Sequence, residues 1–271
     1  MIKSRCKSGQ SVVIGALLLL ALFVAFISWF QITQVPVLNQ NAEAENNDII
    51  RSDMFEFQDK SYDSILTDSV NQVSFNTKVS YRFELAGLQN NIGQFSIDEF
   101  DDEPINITRS NQSVDGLPSR MISLTYTPSY NERTENDYIY ENGILVENQT
   151  TRGLDRGGQR FVRGDNIYLF EFEADFVSLQ SPNTIFTIVP ERDLQTTNVT
   201  GAFEDINNDG TETQQDIDIE LDTNLDAETW ERLLNNQANV VDVSDNVNSV
   251  IITLDGSEEY TVHTGKSRIE T

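Results

Sequence analysis

The chain has 271 residues, of which 44 are acidic and 18 are basic, so its formal net charge is −26. A surface of this charge repels polyanions, which argues against nucleic-acid binding. The single cysteine, Cys6, excludes a disulfide within the chain. Acids spread along the chain and a preference for Arg (13) over Lys (5) are typical of a protein from very salty surroundings, where salt screens self-repulsion. An ordinary acidic secreted protein is the alternative.

The first predicted element is an apolar helix over residues 10–31. Val12 to Phe30 carries no charge, and at 1.5 Å per residue it is about 28 Å long, close to the thickness of a bilayer core. The three charges before it are basic, which predicts a cytoplasmic N-terminus and an extracellular remainder. No small-x-small cleavage pattern follows Phe26, so a retained membrane helix is favoured over a discarded secretory signal.

The residues in front of this helix carry a resemblance to a known family. Lys7-Ser8-Gly9-Gln10-Ser11, followed directly by the apolar run, resembles the archaeal class III signal peptide of type IV pilins. The resemblance implies that a prepilin peptidase cuts between Gly9 and Gln10 and removes a leader of residues 1–9. It also implies a haloarchaeal pilin-like surface protein with a β-rich exterior. Stretches such as "RSDMFEFQDKSYDSI" and "DAETWERLLNNQ" are similar to that group more weakly.

A stem helix is predicted within residues 32–68. Pro36 interrupts the helical pattern just beyond the membrane segment and predicts a kink or break there. From about Asn39 to Leu66, a stripe of apolar residues at helical spacing indicates a second helix, with Ile50, Met54, Phe57 and Ile65 on one side and Phe55, Tyr62 and Leu66 beside them. The stripe fits a stem that packs on its own β domain or a helix in a filament core.

Residues 69–271 are predicted to form the β-rich extracellular domain. "VSFNTKVSYRFEL" alternates over its whole length, which predicts one long half-buried strand. "YIYENGILVEN" indicates a hairpin at Asn142-Gly143, and "SVIITLDGSEEYTVH" a second hairpin at Asp255-Gly256. "IYLFEFEADF" and "DIDIELD" read as further strands, and Asp226 as the N-cap of a short helix carrying Trp230, Leu233 and Leu234. The predicted class is α+β, mainly β, with an antiparallel sandwich-like exterior.

Four Asn-x-Ser/Thr triplets are candidate glycosylation sites. They begin at Asn106, Asn111, Asn148 and Asn198, and the first three lie in predicted polar loops. Modification requires an exposed Asn outside the membrane, which the predicted topology supplies. The alternative is a plain polar loop, because an Asn- and Thr-rich chain produces such triplets by chance.

One acidic segment, "DINNDGTETQQD", matches a calcium-binding loop. Asp205, Asn207, Asp209, Thr211 and Asp216 occupy positions 1, 3, 5, 7 and 12, with Gly210 at position 6. Position 12 is Asp rather than the longer Glu, and the flanks read as strands rather than as the helices of an EF-hand. Ca²⁺ is therefore a candidate ligand, and an acidic hairpin turn is the alternative.

The sequence gives little basis for catalysis. The one histidine, His263, lies in a predicted final strand and is interpreted as an edge or surface residue. Neither a nucleophile elbow nor a histidine-rich metal set is present. The clustered bases Arg152, Arg156, Arg160 and Arg163 fit either an anion site or local charge balance. The sequence predicts a non-enzyme.

Two functions remain open from the sequence. The first is a pilin-like surface protein whose helix Val12–Phe30 lies in lipid and then packs against copies of itself in a filament, exposing the β domain for adhesion. The second is a permanently anchored, monomeric surface domain that binds a ligand. Both follow from the same physics, because a helix that is apolar on all sides needs lipid or other helices around it.

Overall fold

A computed structural model describes residues 7–81, 91–100, 104–109, 112–133, 136–148, 159–201, 203–204 and 213–271. The helices are α1 (Lys7–Thr33), α2 (Val35–Thr67) and α3 (Ala227–Leu234). The strands are β1 (Asn71–Phe75), β2 (Gln94–Phe100), β3 (Ile105–Arg109), β4 (Gln112–Ser113), β5 (Met121–Thr127), β6 (Asp137–Glu141), β7 (Ile144–Asn148), β8 (Val162–Arg163), β9 (Asn166–Ala174), β10 (Ser178–Leu179), β11 (Thr184–Thr200), β12 (Phe203–Glu204), β13 (Thr213–Gln214), β14 (Ile217–Asp222), β15 (Val240–Asn246), β16 (Ser249–Leu254) and β17 (Glu259–Glu270).

The described strands form three five-stranded sheets and one two-stranded ribbon. Sheet A has the order β1-β11-β17-β9-β8, sheet B the order β10-β2-β5-β6-β7 and sheet C the order β15-β16-β14-β3-β4; β12 and β13 form the ribbon. The paired strands are antiparallel except β17 and β9, which run parallel. The predicted apolar N-terminal helix and mostly antiparallel β-rich domain are confirmed.

The buried apolar residues of these elements form two hydrophobic cores. The first core is formed by α2, sheet B and one half of sheet A, with Met54, Phe57, Phe95, Tyr126 and Phe186 buried at its centre. Aromatic rings meet there edge to face, and the centroids of Phe57 and Tyr140 are 5.2 Å apart. Such offset contacts between rings are favourable beyond the area that they bury.

The second core is formed by α3, sheet C and the other half of sheet A, together with Met121, Ile144 and Val146 of sheet B. Trp230 and Leu234 of α3 are fully buried against Ile219, Ile252 and Tyr260. The N-cap of α3 is confirmed, because an Asp226 carboxylate oxygen accepts a hydrogen bond from the backbone N–H of Thr229 at 2.7 Å. Since β11 and β17 are long, sheet A contributes to both cores.

The predicted long strand starting at Val73 is wrong in its length. Strand β1 ends at Phe75, after which the N–H of Thr77 bonds to the carbonyl of Pro182 and that of Val79 to the carbonyl of Asn91. The alternation persists, since Val73, Phe75, Val79 and Tyr81 are all buried. The remainder of the predicted strand, residues 82–85, lies outside the described residues.

The two predicted hairpins have different outcomes. The one at Asn142-Gly143 is confirmed, with φ of 50° and 73° at the two turn residues, the left-handed values that this turn requires. The one at Asp255-Gly256 is wrong, because β16 pairs with β14 and β15 on its two edges while β17 joins sheet A. A Cβ at position 256 would lie 1.8 Å from the carbonyl oxygen of Gln215. Glycine is therefore needed here, because two segments of the backbone pass close to each other.

Candidate functional site

Helix α1 presents apolar side chains on every side. Its exposed residues include Val12 (72% exposed), Leu19 (70%) and Ile32 (76%), with the other large apolar side chains of the helix also outside the protein core. Among the described residues, this is the helix that is long and apolar enough to cross a membrane. Length and composition fit either a membrane span or a signal sequence. This surface is the candidate functional site, because it needs a partner that is not water.

Helix α1 continues into α2 with little interruption. The N–H of Gln34 bonds to the carbonyl of Phe30 at 2.8 Å, and the N–H of Leu38 bonds to the carbonyl of Gln34 at 3.0 Å. The break predicted at Pro36 lies between Thr33 and Val35. Pro36 itself lies in the first turn of α2, a position where proline is tolerated. The apolar helix is therefore joined to the β domain through a helix rather than through a flexible linker.

The first half of α2 is held on the β domain by a buried carboxylate. Glu43 is fully buried and accepts hydrogen bonds from the hydroxyl of Tyr81 and the N–H of Asn131, both at 2.8 Å, and from the N–H of Glu132 at 3.2 Å. Burial raises the pKa of Tyr81, and its hydrogen bond to Glu43 acts in the same direction. The sequence pattern does not single out Glu43, although this residue lies about two helical turns before Ile50 on the same face of α2.

Further polar contacts fix the middle of α2. The guanidinium of Arg51 bonds both carboxylate oxygens of Glu147, with Nη2 at 3.0 Å from Oε1 and 2.7 Å from Oε2 and Nε at 3.2 Å from Oε2. The hydroxyl of Tyr138 donates to Asn47 Oδ1 at 3.1 Å, and Gln58 Nε2 donates to the carbonyl of Gly143 at 2.9 Å. A bidentate pair of this kind fixes orientation as well as distance. Together with the first core, these contacts lock the stem to the domain.

A second buried carboxylate, Glu141, joins the two cores. It accepts hydrogen bonds from the hydroxyl of Thr223 and from the N–H of Asn224, while the indole N–H of Trp230 donates to the same Thr223 oxygen at 3.1 Å. Burial raises the pKa of Glu141, and these hydrogen bonds oppose the rise. The contact ties the end of β6 to the loop before α3 and so links the two cores.

A basic and aromatic cluster lies beside the C-terminal half of α2. The guanidinium carbons of Arg160 and Arg163 lie 5.5 and 5.8 Å from the ring centroid of Tyr62, within cation–π range. Arg160 also bonds the carboxylate of Asp59. Desolvation lowers the pKa of Arg160, and the neighbouring charge of Arg163 lowers it further. Arg152 and Arg156 lie outside the described residues.

His263 lies near this cluster in the middle of sheet A. Its ring stacks on Tyr168 with centroids 4.7 Å apart, and its Nε2 lies 2.9 Å from Asn166 Oδ1. The sequence predicts an edge or surface residue; the edge position is wrong because β17 has a neighbour on both sides, and His263 is half-buried. Desolvation lowers the pKa of His263, which favours the neutral ring. Its neighbours supply packing rather than a nucleophile.

The other predicted site residues are spread over the molecule. Gly9 and Gln10 lie inside the first turns of α1, so the expected cleavage point falls within helical backbone. Asn148 is exposed at the last residue of β7. Asn106 is half-buried in β3, so its predicted loop position is wrong, and Asn198 is exposed in β11 with its Nδ2 donating to Glu259 Oε1 at 2.8 Å. Asn111 lies outside the described residues.

The calcium-like segment is described at one ligand position. Asp216 Oδ1 accepts a hydrogen bond from the N–H of Gly256 at 3.2 Å, so one of its oxygens already has a backbone partner. Asp205, Asn207, Asp209 and Thr211 lie outside the described residues, and calcium binding stays a prediction. Within the part of the chain that is described, no group of three or more His, Cys, Asp or Glu side chains is arranged to hold a metal ion.

Comparison of the chain with protein-family models, with curated proteins and with solved structures finds no match. The class that the structure itself defines is a chain with one exposed, apolar N-terminal helix, continued by a stem helix into a mainly antiparallel β domain.

Proposed function

We propose that this chain is a pilin-like, membrane-anchored structural protein of the cell surface. The observation that carries the proposal is an apolar helix, exposed along its length, that continues into a stem locked to a folded domain. Lipid or neighbouring copies of α1 cover that surface, since water cannot do so favourably. The charge asymmetry supports a cytoplasmic start and an extracellular β domain.

The geometry favours a structural subunit over a domain that is flexibly tethered to a membrane anchor. A tethered domain needs only a flexible connection to its anchor, whereas a rigid helix transmits the position of one copy to the next. The buried contacts of Glu43 and Arg51 hold the stem in one orientation relative to the β domain. Filament subunits require such a fixed relation, because every copy must repeat the same contacts.

The mature N-terminus tests the processing route. Cells expressing the full chain are fractionated, and the protein is analysed by intact mass and by N-terminal peptide mapping. We expect the mature chain to start at Gln10, and a Gly9→Leu variant to keep Met1 because the cleavage motif is lost. An intact Met1 in the wild-type protein would contradict the pilin route. Electron microscopy then tests whether surface filaments contain the chain.

The alternative is a permanently anchored, monomeric surface domain. The observation that favours it is the uniform apolar surface of α1, which has no charged side chain from Val12 to Phe30 to set the register between packed copies. Lipid requires no such register. A mature chain that starts at Met1 and stays monomeric in detergent at all concentrations is the expected result for this alternative.

Glycosylation at the cell surface accompanies either function. Asn148 is the most favourable of the described acceptors, because it is exposed and no hydrogen bond within the described chain holds its side chain. Asn198 is less favourable, since its amide is engaged with Glu259. Glycopeptide mass spectrometry of protein from the native membrane distinguishes the two positions.

A further inference from the structure

Two like charges are held close together in a protein that is short of bases. Arg160 precedes the short strand β8 and Arg163 ends it, and both place their guanidinium groups within cation–π distance of the Tyr62 ring. Asp59 neutralises Arg160. Arg163 is exposed, and none of the described carboxylates lies within ion-pair distance of it. We call Arg160 and Arg163 together with Tyr62 the basic patch.

The neighbouring surface has the opposite charge. The solvent-facing side of α2 carries a row of exposed acids at helical spacing, which we call the acidic stripe: Glu45, Asp48, Glu56, Asp59 and Asp63. Asp48 pairs with Arg51 and Glu56 with Lys60 on the same helix, whereas Asp59 bonds the basic patch of its own chain. That bond shows that a carboxylate projecting from α2 matches the geometry of the patch.

Packing of copies through α1 brings the α2 helices near one another. Because α1 and α2 are joined by continuing helical hydrogen bonds, neighbouring α1 helices place neighbouring stems side by side. Two acidic stripes facing each other would repel. A favourable contact therefore needs two different surfaces, one of which must be basic.

We propose that the basic patch of one copy binds carboxylates of the acidic stripe on a neighbouring copy. This inference rests on the proposed function, since it requires copies that assemble. The contact joins unlike surfaces, and a repeated contact between unlike surfaces that does not close into a ring produces an open filament. The Tyr62 ring holds the two guanidinium groups in place, which reduces the side-chain entropy lost on binding.

The test uses charge reversal in the full chain. Purified protein is transferred out of detergent, and assembly is followed by light scattering and electron microscopy. Arg160→Glu with Arg163→Glu is expected to raise the critical concentration for assembly by about tenfold or more. Asp48→Lys with Glu56→Lys and Asp63→Lys should do the same. Mixing the two variants should restore assembly, because each then meets the opposite charge.

Matched controls separate this contact from general charge effects. Arg109→Glu with Arg232→Glu changes the net charge equally on β3 and α3, around the second core, and should assemble like the wild type. Circular dichroism shows whether the double variant folds. If it folds poorly, Arg163→Glu alone tests the patch, because this single variant keeps the bond between Arg160 and Asp59.

Cross-linking gives a second readout. In a Cys6→Ser background, Arg163→Cys copies are mixed with copies that carry a single cysteine at position 48, 56 or 63 and treated with a short bismaleimide. Cross-linked heterodimers in assembled material are expected for at least one stripe position. The inference alone would be overturned if both charge-reversed variants assembled like the wild type, or if no cross-linked heterodimer formed at any stripe position. Wild-type protein that never assembles would overturn the proposed function as well.

Discussion

Replacement of Glu43 by Gln tests whether a buried carboxylate holds the stem to the β domain. Gln keeps one acceptor oxygen, which can still bond the three donors to Oε1: the Tyr81 hydroxyl and the N–H groups of Asn131 and Glu132. It replaces Oε2, which shares the N–H of Glu132 with Oε1, by an amide N–H₂, so one charge-assisted bond is lost and a buried amide donor faces another donor. Hydrogen bonds to a charged group contribute about 1.5–3 kcal/mol each, and a buried unsatisfied donor costs about 1–3 kcal/mol. We expect Glu43→Gln to lower the free energy of unfolding by about 2–4 kcal/mol.

The assay is urea denaturation of the full chain in detergent, followed by far-ultraviolet circular dichroism. Glu45→Gln, an exposed position on the same helix, is the matched control and should change stability by less than about 0.5 kcal/mol. Hydrogen exchange should show the largest loss of protection at residues 39–47. An effect of Glu43→Gln no larger than that of the control would refute the reasoning, because it would mean that the carboxylate contributes nothing beyond its shape.

Two further substitutions probe α2. Burial, with the nearby charge of Glu56, raises the pKa of Asp53 to about 6 from 3.8, so this carboxylate lowers stability as pH rises from about 4 to about 6. Asp53→Asn should therefore raise the thermal midpoint more at pH 7.5 than at pH 4, and an equal gain at both values would contradict the assignment. Gly265→Ala places a Cβ 2.3 Å from Cγ2 of Ile65 and should cost about 1–3 kcal/mol in the same denaturation assay, whereas an unchanged midpoint would show that α2 and β17 separate freely.

Local periodicity in the sequence predicts the elements well where one face of an element is buried. The stripe Ile50, Met54 and Phe57 is buried as its spacing indicates, and the alternation of Ile217, Ile219 and Leu221 places all three in the second core. The turn at Asn142-Gly143 follows from two residues that tolerate positive φ. These predictions succeed because the information lies within a few neighbouring residues.

Long-range pairing is where the sequence reasoning fails. The Asp255-Gly256 segment has the composition of a hairpin turn, yet it carries the chain from sheet C to sheet A, since β14 and β15 already occupy both edges of β16. The parallel pairing of β17 with β9 likewise joins segments far apart in the chain. The partners of Glu43 come from residues 81, 131 and 132, which no helical pattern can supply. Such contacts depend on the tertiary fold rather than on local propensity.

The long strands of sheet A have a mechanical consequence. Force applied to α1 is transmitted along α2 and reaches sheet A at the contact between Ile65 of α2 and Gly265 of β17. Strands β11 and β17 pair over most of their length and contribute to both cores. Load applied along such strands is shared by many hydrogen bonds in shear instead of opening them one after another. A protein built this way should resist tension applied through α1, and a force spectrometer that pulls on α1 would measure that resistance directly.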